Sequence, residues 1–327
     1  MQYIKNESTN PRYNLALEEY VTKNLDIDDT IVILWQNAPS VIIGRFQNTV
    51  EEINSEFIEE NNINVVRRIT GGGAVYHDLG NLNFSFIEKT DTEKIDFRKY
   101  NERIVRALAK FGIQAEHNSR NDIAIEGKKF SGNAQFIYKG KVLHHGTLLF
   151  NSRLQDVQSA LKVKPDKFTS KAVKSVRSRV TNIIDYMENP VSIEEFKEAL
   201  LVSLFDEKPL VEYKLSDADI EIINKLMEEK YNTWEWNYGS SPAFNISKSE
   251  RFPCGKIDIR LDVKNGIIQN IKIFGDFFTS QNIEDVEKSL LGNKYSREEL
   301  AKELATIDIG EYFSGLTLEE FLNFLFY

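Results

Sequence analysis

Cysteine is almost missing from this chain: Cys254 is the only one in 327 residues, so no intrachain disulfide can form. Long apolar runs are missing too, none approaching the roughly 20 residues that cross a bilayer. The opening stretch Met1-Gln2-Tyr3-Ile4-Lys5-Asn6-Glu7 lacks the apolar core of a secretory signal. Positive charge is in deficit, 41 Lys and Arg against 50 Asp and Glu, and the resulting −9 argues against a general nucleic-acid binder. These shortages predict a cytoplasmic enzyme or binding protein with no membrane and no nucleic acid among its partners. Hydrophobic residues at 41% and charged residues at 28% are ordinary for a folded globular chain, long enough here for one large and one small domain. No internal repeat or low-complexity tract breaks the pattern.

Against this plain background one stretch stands out, Arg67-Arg68-Ile69-Thr70-Gly71-Gly72-Gly73-Ala74-Val75-Tyr76-His77-Asp78-Leu79-Gly80-Asn81. Three consecutive glycines weaken any helix or strand that contains them, so they belong where a backbone passes close to something else. Asn64-Val65-Val66 before them and the alternating Leu82-Asn83-Phe84-Ser85-Phe86 after them read as strands. The element is therefore expected to be strand, loop, strand. A glycine-rich surface hairpin satisfies the same pattern, but the two arginines, the histidine and the aspartate favour an anionic ligand. A P-loop is excluded because no Gly-Lys-Ser/Thr opens a helix, and a dinucleotide fingerprint because a strand follows the glycines.

Helical spacing is predicted for Asn14 to Leu25, Glu51 to Asn61, Phe97 to Phe111, Ser192–Phe205 and Asp217–Lys230. Ile31-Val32-Ile33-Leu34-Trp35 and Val41-Ile42-Ile43, separated by a proline-containing turn, read as a hairpin. Asn121–Ile125, Lys129–Tyr138 and Val142–Phe150 read as three strands with short connections, which predicts a mixed, mostly antiparallel sheet with helices on one face. The break at Gly239-Ser240-Ser241-Pro242 marks a candidate boundary between residues 1–240 and 241–327. Beyond it, alternation around Asn265-Gly266 predicts a second hairpin, and helices near Ile283 to Leu291 and Thr317 to Phe326 complete a small α+β unit.

The arginine–glycine stretch resembles the corresponding loop of the lipoate–protein ligases, relatives of the biotin–protein ligases. Asn121-Asp122-Ile123-Ala124, Gly127-Lys128-Lys129-Phe130-Ser131-Gly132-Asn133-Ala134-Gln135, His144-His145-Gly146-Thr147-Leu148-Leu149-Phe150 and Ser175-Val176-Arg177-Ser178-Arg179-Val180-Thr181-Asn182-Ile183 follow in that family's order. Arg251-Phe252-Pro253-Cys254-Gly255-Lys256-Ile257-Asp258-Ile259 is similar to its accessory domain, so the resemblance spans nearly the whole chain. It implies an α+β fold: a large catalytic domain binding lipoate and ATP, and a small C-terminal accessory domain. It also implies a two-step reaction. Lipoate's carboxylate attacks the α-phosphorus of ATP, releasing pyrophosphate. The ε-amine of a lysine on a lipoyl carrier domain, such as a 2-oxoacid dehydrogenase E2 domain or the glycine cleavage H protein, then displaces AMP.

Lys129 is the catalytic candidate the resemblance implies, a cation shared by carboxylate and α-phosphate that lowers their repulsion. Strand alternation turns its neighbour Lys128 the other way. Asp122 is a turn cap on residue type alone; the resemblance makes it the magnesium ligand, with Asn121 beside it on the nucleotide. Arg68 is expected to offer its planar fork to the carboxylate or α-phosphate, and the N–H groups of Gly71, Gly72 and Gly73 to line the acyl phosphate. Thr70, Ala74, Tyr76, His77, Ser131, Gly132, Arg177 and Thr181 complete the expected binding set. Leu15 and Trp35 fit either a tunnel for lipoate's carbon chain or plain core. His144-His145 cannot share one metal ion, since adjacent strand residues face opposite ways; at most one, His145 in the expected set, enters a pocket. The basic run from Lys162 to Arg179 reads as a solvated loop or as one that neutralises phosphate or meets an acidic partner. Rival readings weaken on the residues: an acyl transferase of this kind uses a cysteine in the large domain, a biotin ligase has a different arginine–glycine loop, and a non-catalytic binder has no need of Lys129 and Asp122.

Overall fold

The computed structural model describes residues 1–92, 94–118, 121–161, 180–238 and 246–326. In chain order the strands are β1 (Gln2–Ile4), β2 (Ile31–Trp35), β3 (Ser40–Ile43), β4 (Asn64–Arg67), β5 (Val75–His77), β6 (Asn81–Lys89), β7 (Glu116–Asn118), β8 (Asp122–Ile125), β9 (Lys128–Tyr138), β10 (Lys141–Leu149), β11 (Ile246–Phe252), β12 (Gly255–Lys264) and β13 (Ile267–Gly275). The helices that position the site are α1 (Pro11–Lys23), α2 (Thr49–Glu52), α3 (Ser55–Glu60), α4 (Arg98–Ala109), α5 (Leu154–Ala160), α6 (Ile193–Leu204) and α7 (Asp217–Leu226). A large sheet runs β1-β2-β6-β10-β9-β8-β7, a small one β4-β3-β5, and a third, in the C-terminal unit, β11-β12-β13. Among the described strands, β1–β2 and β3–β4 are the parallel pairs.

The inner strand β6 explains the layering. Leu82, Phe84 and Phe86 point to one face, where α4 and α6 bring Tyr100, Ile104, Phe196 and Leu200. Each Phe fully buried there contributes about 1.5–3 kcal/mol of apolar transfer. Asn81, Asn83 and Ser85 point to the other face, which is also buried, beneath α1 and the small sheet. Register lines up Trp35, Asn83 and Thr147 in one row across β2, β6 and β10. Ile33, Ser85, His145 and Ala134 form the next row. A polar row inside a closed layer is the signature of a site.

Helix ends follow local chemistry. Asn10 caps α1 by accepting from the Arg12 N–H at 2.9 Å, with Pro11 as the first helical residue. Ser192 with Glu195 and Ser216 with Asp219 form capping boxes at α6 and α7. The C-terminal unit buries Ile257, Ile259, Leu261, Phe313 and Phe321 in its own core under four further short helices, α8 apart from them at Trp234–Asn237. Those four are α9 (Ile283–Leu290), α10 (Arg297–Leu304), α11 (Ile309–Tyr312) and α12 (Leu318–Phe326). Among the described residues no helix is long and apolar enough to cross a membrane.

Several expectations need correction. Ile31–Trp35 and Ser40–Ile43 are not a hairpin: β2 joins the large sheet and β3 the small one. Both strands are buried along their whole length, so no alternation marked their faces. The strand–loop–strand element hides a third strand, β5, which pairs antiparallel with β3 directly after the glycines. The single helix expected over Glu51 to Asn61 is two, α2 and α3, broken where Ile53 bridges to Leu161 and Asn54 caps the second. The helix expected to Lys230 ends its regular part at Leu226 and continues as a π-turn, Met227–Tyr231. That turn carries Lys230 and Tyr231 onto the buried Glu19 carboxylate, at 2.7 and 2.6 Å. β11 and α10 carried no recognised signal.

Gly146 on β10 tests the packing of the large sheet. A Cβ there would overlap Asn133 Oδ1 and lie 2.6 Å from the Phe84 ring. Gly146→Ala is expected to lose about 1–3 kcal/mol in urea unfolding through overpacking. A variant as stable as the parent would show that the strands are not so tightly layered.

Candidate active site

A cavity of about 230 Å³ opens between the polar face of the large sheet, the glycine loop and the C-terminal unit. Its shape begins with two arginines. The Arg67 guanidinium is buried and donates to the carbonyls of Gly44, Arg45 and Gln47 and to Thr49 Oγ1. Arg68, at the end of the small sheet, donates from Nε to Thr70 Oγ1 at 2.9 Å and from its terminal nitrogens to the carbonyls of Ile42, Gly71 and Gly73 at 2.7–3.0 Å. Burial pulls Arg67 down to about 10 and Arg68 to about 9, both still cationic at neutral pH. Glu18 opposes the shift at Arg68. So the fork expected to meet an anion is occupied with loop carbonyls, and Arg68 reaches the cavity wall as a charge whose donors shape the loop.

The glycines are needed for close approach. Gly72 has φ +89°, and a Cβ on Gly44 would overlap its carbonyl oxygen. A Cβ on Gly71 would overlap the carbonyl of Phe277 in the C-terminal unit. The Gly72 N–H, expected to face an acyl phosphate, instead donates to that carbonyl at 3.2 Å. Gly73, Ala74 and His77 line the cavity; Thr70 and Gly71 stand behind it. Tyr76 lies away from it, buried in the small-sheet core with Val65 and Ile58, where burial beside Asp156 raises its hydroxyl to about 12.

Lys129 sits at the cavity wall with its ammonium 2.7 Å from Asp122 Oδ1. It lies back over Gly132, where a Cβ would come within 2.9 Å of Nζ; the missing side chain makes the space. Lys128, one residue earlier, is exposed. Asn121 lines the cavity and donates to the Asn133 carbonyl at 2.8 Å, tying β8 to β9. The Thr181 N–H donates to the Lys129 carbonyl at 3.0 Å, so the segment resuming at Val180 braces the lysine from behind. Ser131 is buried and accepts from Asn133 Nδ2, outside the wall. Arg177 and the whole basic run from Lys162 to Arg179 lie outside the described residues. Among the described residues no group of three or more His, Cys, Asp or Glu side chains is arranged to hold a metal.

The histidines separate as alternation requires. His144 faces the α4 side, stacked on Tyr100 at 4.6 Å, and burial holds its pKa far below the usual range. His145 lines the cavity and joins a buried chain of hydrogen bonds. Its Nδ1 meets the Glu18 carboxylate at 2.9 Å and its Nε2 meets Thr70 Oγ1 at 2.8 Å. Ser85 donates to the same Glu18 carboxylate and accepts from Trp35 Nε1 at 2.8 Å. Leu15, Trp35 and Ile42 form the apolar wall. His77 accepts from Asn37 through Nδ1, which leaves the proton on Nε2 without a partner; Asn83 Nδ2 is likewise buried and unpaired. Both residues line the cavity. An unpaired buried donor costs about 1–3 kcal/mol, a cost that a ligand oxygen would remove. Sequence reasoning missed Glu18, Ile42, Asn83, Thr147 and Phe278. For Asn83 a signal existed, a polar position within an alternating strand.

The comparisons with known proteins agree across the chain. The model of the lipoyl protein ligase A/B catalytic domain matches residues 10–205, and that of the bacterial lipoate protein ligase C-terminus matches residues 241–325. The chain is similar to a lipoate-protein ligase of Bacillus subtilis, 48% identical over 331 residues and covering 100% of each. Among solved structures, Plasmodium falciparum LipL1 in complex with lipoate aligns over 98% of this chain and 97% of its own, at 28% identity and TM-score 0.79. A lipoate-protein ligase A bound with ATP aligns over 73% of this chain and 98% of its own, at 32% identity and TM-score 0.65.

His77 gives the site a measurable acid limit. Burial, then the charges of Arg68 and His145, pull it from 6.5 to about 3. The unfolded chain protonates His77 below about 6.5 while the folded one does not, so its stabilising contribution is present above that pH and lost as pH falls toward 3. Urea unfolding at a series of pH values is expected to show a shallower acid loss for His77→Gln than for the parent. Parallel pH profiles would remove His77 from the account.

Proposed function

The chain belongs to the lipoate–protein ligase family, and from that premise we propose that its cavity activates lipoate with ATP and passes the lipoyl group to a carrier lysine. One observation supports the reading above the rest: a single cavity carries an apolar wall of Leu15, Trp35 and Ile42 together with the Lys129 ammonium. A fatty chain ending in a carboxylate fits such a cavity, and the cation answers the two anions that must meet.

In the first step a lipoate carboxylate oxygen attacks the α-phosphorus, the bond to the bridging oxygen breaks, and pyrophosphate leaves. Lys129 exchanges part of its contact with Asp122 for the carboxylate and α-phosphate oxygens, lowering their repulsion and stabilising the charge that gathers in the transition state. Thr181 and Gly132 hold the lysine in reach. Asp122 would be the carboxylate to hold magnesium, an ion that favours carboxylate and phosphate oxygens. That ion supplies further charge neutralisation when bound. His77 Nε2 and Asn83 Nδ2 donate to ligand oxygens. His145, fixed by Glu18 and Thr70, packs along the acyl side.

In the second step the neutral ε-amine of an acceptor lysine attacks the acyl carbon, the bond to the phosphate oxygen breaks, AMP leaves with the electron pair, and the nitrogen gives up one proton to become the amide. The acceptors are lipoyl carrier domains, of the 2-oxoacid dehydrogenase E2 and glycine cleavage H types, and the setting is the cytoplasm, where ATP is at hand. No enzyme thiol takes part: Cys254 is buried in the core of the C-terminal unit.

Pyrophosphate release by purified protein with magnesium and ATP, with and without lipoate, tests the reading. Release should depend on lipoate and fall by about 10²–10³-fold in Lys129→Ala, the scale of losing one preorganised charge partner. Lipoate-independent release, or an unimpaired variant, would overturn it.

A further inference from the structure

Asn83 is 1% exposed and lines the cavity, and its Nδ2 has no hydrogen-bond partner among the described residues. Its Oδ1 is already engaged, accepting from Asn81 Nδ2 at 2.9 Å, so what the side chain still offers is a donor. Strand pairing fixes where that donor stands. Asn83 on β6 lies opposite Trp35 on β2 and opposite Thr147 on β10. Thr147 Oγ1 accepts from the Gly132 N–H on β9 at 3.2 Å, and the Lys129 ammonium lies over Gly132. All of these residues line the cavity. Across four neighbouring strands, about 4.8 Å apart, the wall therefore runs from an apolar ring through a neutral amide and a hydroxyl to a cation. His77 carries a second unpaired donor into the cavity, but from β5 of the small sheet, outside this row.

That order matches an acyl adenylate followed from its tail to its phosphate. With the carbon chain at Trp35 and the α-phosphate at Lys129, the acyl carbon and its carbonyl oxygen fall at Asn83 in between. We propose that Asn83 Nδ2 donates to the carbonyl oxygen of the activated lipoyl group and is a catalytic residue of the transfer step. The assignment rests on the function proposed above and deepens it. In adenylation the two carboxylate oxygens are equivalent until one attacks phosphorus. The amide holds the other and so turns the attacking oxygen toward Lys129. In transfer the amine's lone pair forms the carbon–nitrogen bond, the carbonyl π pair moves onto oxygen, and Nδ2–H meets that oxyanion. The pair then returns, the bond from carbon to the phosphate oxygen breaks, AMP leaves with its electrons, and the nitrogen gives up one proton. A neutral donor suits this task, because its hydrogen bond strengthens as charge gathers on the oxygen and so favours the transition state over the bound anhydride.

The experiment loads the full chain with magnesium, ATP and lipoate labelled isotopically at its carboxyl carbon, and reads two things. Infrared difference spectra report the carbonyl band of the bound adenylate. Mixing the loaded protein with a lipoyl domain gives the single-turnover transfer rate. In Asn83→Ala the band should move to higher wavenumber, since a carbonyl without its hydrogen bond is stiffer. Transfer should slow by about 10²-fold, the scale of losing one oxyanion donor. Asn83→Asp keeps the acceptor for Asn81 and nearly the same volume but turns the donor into an acceptor. It should shift the band the same way, and it serves if Asn83→Ala does not fold by thermal melting. A band unmoved in the folded variants would overturn the proposal, because a merely structural asparagine leaves the carbonyl alone. So would a moved band with an unchanged transfer rate, which would leave Asn83 a binding contact only. A parent that forms no adenylate would overturn the function proposed above and this assignment with it, whereas a parent that transfers beside unimpaired variants overturns the assignment to Asn83 alone.

Discussion

Two buried guanidinium groups hold the site together. A run of three glycines has no side chains to pack, and between Arg68 and Val75 its backbone joins no strand. Its carbonyls therefore need partners from elsewhere. Arg68 supplies them to Gly71 and Gly73, while Arg67 supplies the neighbouring turn at Gly44, Arg45 and Gln47. Hydrogen bonds to a charged donor are the stronger kind, and burial shifts the arginines without neutralising them. A lysine in either place could not reach several divergent carbonyls with one planar fork.

From that loop the order spreads in two directions. Inward, Thr70 links Arg68 to His145, Glu18, Ser85 and Trp35, so the apolar and polar walls of the cavity are positioned by one continuous chain of hydrogen bonds. Outward, Gly71 and Gly72 touch Phe277 and Phe278, so the loop's shape is also the docking surface of the C-terminal unit. The same few residues thus shape the cavity wall and meet the C-terminal unit.

Much of the framework was legible in the sequence, for identifiable reasons. Alternation in β6 and β12 and the turn at Asn265-Gly266 are local signals with local causes. β2 and β3 misled because strands buried on both faces carry no period, and nearness in sequence then suggested a hairpin. In the site, it was the family resemblance that pointed to Lys129 and Asp122, and the structure brings the ammonium and the carboxylate to 2.7 Å. The partners of Arg68 were hidden, since backbone carbonyls leave no mark on a sequence. Phe278 was hidden for another reason: its contact with Gly72 spans some two hundred residues and depends on how two units meet. Glu18 looked like one more charged residue on a helix, although α1 lies buried on nearly every side.

Phe46 and Phe278 cross the seam in opposite directions, each ending in the other unit's interior. The boundary is thus not a surface along which the molecule comes apart cleanly. Separating the units would bare both rings to water, a cost that favours the docked arrangement.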